Sequence, residues 1–110
     1  MTSLRDWYSV HFDANAITLR VHPPNEAAWE ETLQWKHISR VCFKAADWFE
    51  SDELYIFTDQ RPESYVIPIE ADGGQALWGE ILDRKLFDAE MAIEASMATN
   101  ELFCSPPISG

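Results

Sequence analysis

Basic residues are scarce in this sequence. Eight Lys and Arg stand against nineteen Asp and Glu, which gives a formal net charge of −11. A surface of that sign repels the phosphates of nucleic acids and the headgroups of anionic lipids. We therefore expect neither a nucleic acid nor a membrane to be a direct partner.

Cysteine is also rare, and long apolar runs are missing. Cys42 and Cys104 are far apart and match no metal-binding or redox spacing. Cys42 falls in an apolar run, where a free thiol commonly behaves as a small buried hydrophobic residue. No stretch approaches the roughly 20 apolar residues that span a bilayer, and no signal-peptide pattern opens the chain. These features predict a reducing, cytoplasmic location.

The residues that could support metal or catalytic chemistry do not cluster. His11, His22 and His37 lie on separate predicted elements, without the paired spacing of a zinc site. Cys42 has a basic residue two positions to either side, which favours a lowered pKa, but no His or acid is placed to serve it as a base. We predict no metal, no cofactor and no enzymatic activity. A small enzyme that uses Cys42 is the remaining enzymatic alternative.

The chain does supply the material for a folded core. It has 110 residues, of which 46% are hydrophobic, including five Trp. A chain of this length buries about two-thirds of the surface that it exposes when unfolded. No repeat, linker or low-complexity tract divides it, so we predict a single domain over residues 1–110.

Most of the first 70 residues alternate between apolar and polar side chains, as half-buried strands do. Segments 8–12 and 17–21 flank the turn-forming Asp13-Ala14-Asn15 and predict a hairpin. Propensity alone leaves 25–35 open between helix and strand. Further strand patterns follow at 41–45, 54–57 and 65–69. With 25–35 interpreted as strand, about six strands with hairpin-length connections predict an antiparallel meander over about residues 7–70.

The period changes to that of a helix after residue 70. Asp72 can cap a helix, with Gln75 completing a capping box, and apolar residues then recur at helical spacing through Ile81. Asp88 can cap a second helix over 89–98. Strands followed by one or two helices, over about 73–98, predict the α+β class. We expect a flexible tail at 105–110.

The segment Leu33-Gln34-Trp35-Lys36-His37-Ile38-Ser39-Arg40-Val41 resembles the apolar-x-Trp-x-x-Ile-x-x-Val pattern of bacterial pleckstrin-homology-like (PH-like) domains. In that family a strand ends at the Trp, a tight turn carries the Ile inward, and the Val starts the next strand. The later strands and the first helix follow in a similar order, so the resemblance covers about residues 30–86. It implies that Thr32–Trp35 is strand, that the sheet is partly closed into a barrel, and that the domain is an interaction scaffold.

The resemblance does not extend to the family's lipid-binding loop. Lipid-binding members carry Lys and Arg in the first hairpin loop, where this chain has Asp13-Ala14-Asn15. The resemblance therefore implies an interaction scaffold and little else, since a fold by itself does not fix a function.

The loop between the fourth and fifth predicted strands is the candidate contact surface. Two large aromatic residues stand there among four acids: Asp47, Trp48, Phe49, Glu50, Asp52 and Glu53. Neighbouring residues of an extended chain point in opposite directions, so both rings are not expected to enter one core. An exposed aromatic side chain rimmed by charge is typical of a protein-binding hot spot. The alternative is that one ring packs over the end of the sheet.

Charge distribution completes the functional prediction. Residues 47–110 hold fourteen of the nineteen acids but three of the eight basic residues. We predict a non-enzymatic interaction module whose acidic surface, within 47–72, binds a protein with a basic patch. The alternative from a different class is an acidic inhibitor or immunity-type protein that blocks a basic, nucleic-acid-binding site. Self-association into a homodimer through exposed aromatic residues stays open.

Overall fold

The fold combines two antiparallel sheets with two helices in the computed structural model, which describes residues 4–47 and 51–106. The strands are β1 (Tyr8–Phe12), β2 (Ala16–Val21), β3 (Trp29–Gln34), β4 (Ile38–Ala45), β5 (Glu53–Thr58), β6 (Arg61–Pro68) and β7 (Glu101–Ser105). The helices are α1 (Gly74–Asp83) and α2 (Ala89–Ser96), with short 3₁₀ helices at Leu4–Asp6 and Trp35–His37. The predicted α+β class, with six antiparallel strands followed by two helices, is confirmed. The prediction of one continuous meander is wrong, because β3 and β4 belong to different sheets.

The first sheet is the meander β1-β2-β3, and its first turn follows from Asp13. Oδ1 of Asp13 accepts the backbone N–H groups of Asn15 at 2.8 Å and Ala16 at 2.9 Å. These two hydrogen bonds reverse the chain and hold the pKa of the Asp13 carboxyl below its ordinary value. The predicted hairpin is confirmed, and the ambiguous segment 25–35 contains the strand β3.

The second sheet has the order β6-β5-β4-β7, and its last strand was not predicted from the sequence. β7 pairs antiparallel with β4, from Val41 opposite Ser105 to Ala45 opposite Glu101. Ser105, placed in a flexible tail by the sequence analysis, belongs to this strand; residues 107–110 lie outside the described part of the chain. β4 is consequently a central strand with a neighbour on each side.

The pairing of β4 with β7 places Cys42 directly opposite Cys104, and a disulfide joins the two. The prediction that Cys42 is buried is confirmed, since 1% of the residue is exposed. The interpretation of Cys42 as a free thiol is wrong for this structure. Its sulfur is bonded, so it offers no thiolate for the catalytic alternative.

The core lies between the two sheets and α1. The apolar face predicted for α1 packs into it, because Leu77 and Ile81 are fully buried. The strands contribute the remaining fully buried large side chains, among them Ile17, Leu19, Val41, Leu54, Ile56 and Ile67.

The beginning of α1 differs from the predicted capping box. Asp72 donates its backbone N–H to the carbonyl of Tyr8 at 2.9 Å, and its carbonyl accepts the N–H of Val10 at 2.7 Å. This short parallel pairing to β1 fixes Asp72 in extended backbone. Gly73 then takes the N-cap position with φ of 86°, and no side chain caps the helix. The capping box of Asp72 and Gln75 is therefore wrong.

The predicted cap of α2 is confirmed and gives a stability prediction. Oδ2 of Asp88 accepts the backbone N–H of Met91 at 3.0 Å. We expect Asp88→Ala to lower the free energy of unfolding by about 1 kcal/mol, because a helical N–H loses its acceptor. Urea denaturation measures the change. Asp88→Asn is the matched control, since Asn caps about as well as Asp, and an equal loss in both variants would contradict the capping role.

Candidate functional site

Three of the six predicted contact residues lie in the described part of the chain: Asp47, Asp52 and Glu53. Trp48, Phe49 and Glu50 lie outside the described residues. Oδ1 of Asp52 accepts a hydrogen bond from the backbone N–H of Ala46 at 2.8 Å. The backbone carbonyl of Asp52 accepts one from the backbone N–H of Ile69 at 2.9 Å. Asp52 therefore braces the β4–β5 loop against the end of β6.

Glu53 is also engaged within the protein. Its Oε1 accepts a hydrogen bond from the hydroxyl of Tyr55 at 3.2 Å. Burial of the Tyr55 phenol raises its pKa, and the negative charge of Glu53 raises it further. The structure thus gives Asp52 and Glu53 internal partners, and contact with another protein through this loop stays a prediction.

Seven exposed acids in the second half of the chain have no ion-pair partner among the described residues. Among the described residues, Arg side chains form ion pairs in Arg5–Asp72, Arg20–Glu30 and Arg84–Glu80, and His37 lies beside Asp59, with which it forms an ion pair only when protonated. The seven exposed acids without such a partner are Glu63, Glu70, Asp83, Asp88, Glu90, Glu94 and Glu101. This number of carboxylates without an ion-pair partner gives the surface a negative potential, which attracts a basic partner.

The histidines do not form a common site. His11 lies opposite Thr18 in the β1–β2 ladder, whereas His22 follows the far end of β2, so the hairpin separates them. Nδ1 of His37 lies 3.0 Å from Oδ1 of Asp59. The amide of Gln60, at 2.8 Å, is the larger cause of the lowered pKa of Asp59. Among the described residues, no group of three or more His, Cys, Asp or Glu is arranged to hold a metal ion.

A groove of about 740 Å³ lies where the β1–β2 turn meets the end of α1. The guanidinium carbon of Arg84 lies 4.0 Å from the centroid of the Trp35 ring, and Nε donates to Glu80 at 2.7 Å. Among the described residues that line the groove, the charged ones are Lys36 and Arg84. Sequence analysis missed this groove, because its walls come from segments that tertiary structure alone brings together.

The two sheets do not close into a barrel, and a trough runs between β3 and β6. One cavity of about 340 Å³ lies between Trp29 and Val66, and a second of about 240 Å³ lies between Leu33 and Thr58. Tyr65 lines both cavities. The edges of β3 and β6 therefore face each other across open space.

The edge of β6 is occupied by side chains. The hydroxyl of Tyr8 donates to the carbonyl of Val66 at 2.7 Å, and burial strongly raises the pKa of this phenol. The guanidinium of Arg61 donates to the carbonyls of Glu63 and Ser64. These bonds satisfy carbonyl groups that would otherwise be available to another strand.

Among the described residues, the most exposed large apolar side chains lie on α2 and at its C-cap. Ile93 is 62% exposed and Met97 is 77% exposed, and their spacing places them on one face of the helix. Glu90 and Glu94 share that face. This acidic and apolar face is a second surface on which a basic partner could act, and the sequence analysis did not single it out.

Comparisons of the chain with protein-family models, curated proteins and solved structures find no match. None of the described helices is long and apolar enough to cross a membrane.

Proposed function

We propose that the chain is a non-enzymatic interaction module that binds a protein with a basic patch. The observation that supports this function is the excess of exposed carboxylates without ion-pair partners in the described ranges. Glu90, Glu94 and Glu101 illustrate it, since no basic residue follows Lys85 in the sequence. Complementary potentials accelerate encounter and favour a partner of the opposite sign.

We further propose a PH-like scaffold for this module. β3 ends immediately before Trp35, and the 3₁₀ helix Trp35–His37 leads to the partly buried Ile38 and the fully buried Val41. Nε1–H of Trp35 donates to the carbonyl of Asp13 at 2.8 Å, which anchors the turn. This local arrangement agrees with the family pattern. The trough between β3 and β6, and the additional α2 and β7, depart from a closed barrel.

The function predicts a salt-sensitive partner. We expect affinity capture from a lysate of the source organism to retain a basic protein at low salt and to release it at moderate salt. Substitution of four exposed acids by Gln, at Glu63, Glu70, Glu90 and Glu94, should weaken binding on the order of tenfold, at about 0.3–0.5 kcal/mol for each charge.

The control is the double variant Gln75→Ala/Thr99→Ala, which replaces two exposed neutral residues. It should bind as the wild type does. A captured protein indifferent to both salt and the four substitutions would contradict an acidic contact surface. Competition between nucleic acid and the module for the captured protein would instead favour the inhibitor-type alternative.

A further inference from the structure

One edge of β3 is hydrogen-bonded to β2, and the other edge is the outer edge of the first sheet. The N–H of Trp35 donates to the carbonyl of Asn15 at 3.1 Å, so these residues form a hydrogen-bonded pair. Hydrogen-bonded and non-hydrogen-bonded pairs alternate along an antiparallel ladder. With the register of β2 and β3, the positions bonded to β2 are Trp29, Glu31 and Leu33. The positions whose N–H and C=O groups point away from β2 are Glu30, Thr32 and Gln34.

These outward groups are unoccupied within the part of the chain that the structure describes, as no described residue bonds to the backbone of Glu30, Thr32 or Gln34 from outside the ladder. The outer edges of β1 and β6 differ from that of β3. The edge of β1 pairs with Asp72, and the carbonyl of Val66 in β6 is bound by Tyr8. β6 also ends in Pro68, which has no N–H to offer. β3 has neither kind of protection.

Space is available along the outer edge. The two cavities between β3 and β6, of about 340 and 240 Å³, are lined by five of the six β3 residues: Trp29, Glu31, Thr32, Leu33 and Gln34. Five of its six residues are exposed, and Leu33 alone in this strand is buried. The cavities reach apolar surface at Leu19, Tyr65 and Val66. An added strand would cover apolar side chains as well as bonding to the backbone.

We propose that the outer edge of β3 binds an extended, basic segment of the partner protein as an additional strand. This proposal rests on the proposed function and names its binding mode. In strand addition, main-chain hydrogen bonds supply affinity and the flanking side chains supply specificity. The charges on β3 itself are negative, since it contains Glu30 and Glu31 and no Lys or Arg. Arg61 lines the same cavity as Glu31 but forms no ion pair with it, so Glu31 can pair with a basic segment.

The same charges disfavour a second copy of this chain as the occupant. Antiparallel pairing of two β3 edges would bring Glu30 and Glu31 of both copies to one seam, and like charges on neighbouring strands are destabilising. Arg20, at 2.9 Å from Glu30, compensates one acid of each copy, whereas Glu31 has no ion-pair partner among the described residues. A basic segment removes this repulsion.

Solution NMR of the ¹⁵N-labelled protein tests the proposal with a ten-residue peptide of alternating Lys and Val as the probe. We expect the peptide to shift the amide signals of Glu30, Thr32 and Gln34 and to slow their hydrogen exchange. The amides of Glu31 and Leu33, already bonded to β2, should be protected before the peptide is added. This exchange pattern needs no substitution and therefore does not depend on a variant that folds.

Two variants of Thr32 separate backbone bonding from side-chain contact. Thr32→Pro removes one outward N–H and should weaken peptide binding about tenfold, since one interstrand hydrogen bond is lost and its neighbours are strained. Thr32→Val keeps the N–H in a β-branched residue and should bind as the wild type does. Equal binding of the Pro variant, in a protein with an unchanged fold, would overturn strand addition at β3.

The remaining outcomes are equally decisive. Signal changes confined to Ile93 and Met97, to the β4–β5 loop, or absent altogether would overturn the β3 site. A salt-sensitive partner found by affinity capture would still support the interaction module in that case. Exchange protection of Thr32 that rises with protein concentration without peptide would show a second copy at the edge and overturn the basic partner.

Discussion

Reduction of the disulfide between Cys42 and Cys104 is expected to lower the free energy of unfolding by about 4 kcal/mol. The bond joins residues 62 positions apart, and in the chain-entropy treatment a cross-link of that span strongly restricts the unfolded chain. The bond also joins β7 covalently to β4, which is the strand that β7 pairs with at the edge of the sheet. Guanidinium denaturation of the oxidised and reduced protein, at one pH, measures the difference.

The variant Cys42→Ala/Cys104→Ala is the control for effects of the reductant itself. Its unfolding midpoint should be the same with and without reductant, and close to that of the reduced wild type after allowance for lost side-chain packing. A wild-type midpoint that does not move, in protein shown by thiol titration to be fully reduced, would contradict a stabilising role for the bond.

Gly73→Ala is expected to destabilise the protein by about 3 kcal/mol. Gly73 has φ of 86°, a left-handed conformation that a residue with a Cβ adopts at a cost. An added Cβ would also collide with the backbone carbonyl oxygen of Val10. Since Val10 and Asp72 are joined there by a backbone hydrogen bond, the collision disturbs the connection between β1 and α1. Thermal and urea denaturation both report the loss.

Gly79→Ala gives the matched comparison on the same helix. Gly79 lies inside α1, where an added Cβ meets no atom within 4 Å. Because Ala is the better helix former, this variant should gain about 0.5–1 kcal/mol. The two Gly→Ala changes should therefore have opposite signs, and destabilisation of similar size in both would show that the collision at Val10 is not the cause.

Elements with a clear side-chain period were predictable from the sequence. In β1, Val10 alternates with polar residues and is buried as predicted. In β2, Ile17 and Leu19 alternate with polar residues and are likewise buried. β3 was harder, because an edge strand with only Leu33 buried has almost no apolar period. The resemblance around Trp35, rather than propensity, assigned Thr32–Trp35 as strand; this is correct through Gln34 and wrong for Trp35, which begins the 3₁₀ helix. The periodic face of α1 was predicted because helix and core requirements coincide there.

Features that depend on distant parts of the chain were not predictable in this way. β7 and the disulfide arise when Cys104 comes opposite Cys42, a match that no local pattern indicates. The N-cap of α1 is Gly73 rather than the predicted Asp72, because the backbone of Asp72 is hydrogen-bonded to β1. At the candidate site, the sequence indicated an acidic surface, but the unoccupied edge of β3 became visible only once the neighbours of every strand were known.

The position of β7 in the chain imposes an order on assembly during synthesis. β4 needs β7 as its second neighbour, yet β7 is translated after every other described strand and helix. A nascent chain that has already formed β4, β5 and β6 therefore presents an uncovered β4 edge to other chains. Incomplete translation products ending before residue 101 would keep that edge permanently, together with an unpaired thiol at Cys42. We expect such fragments to be the aggregation-prone form of this protein.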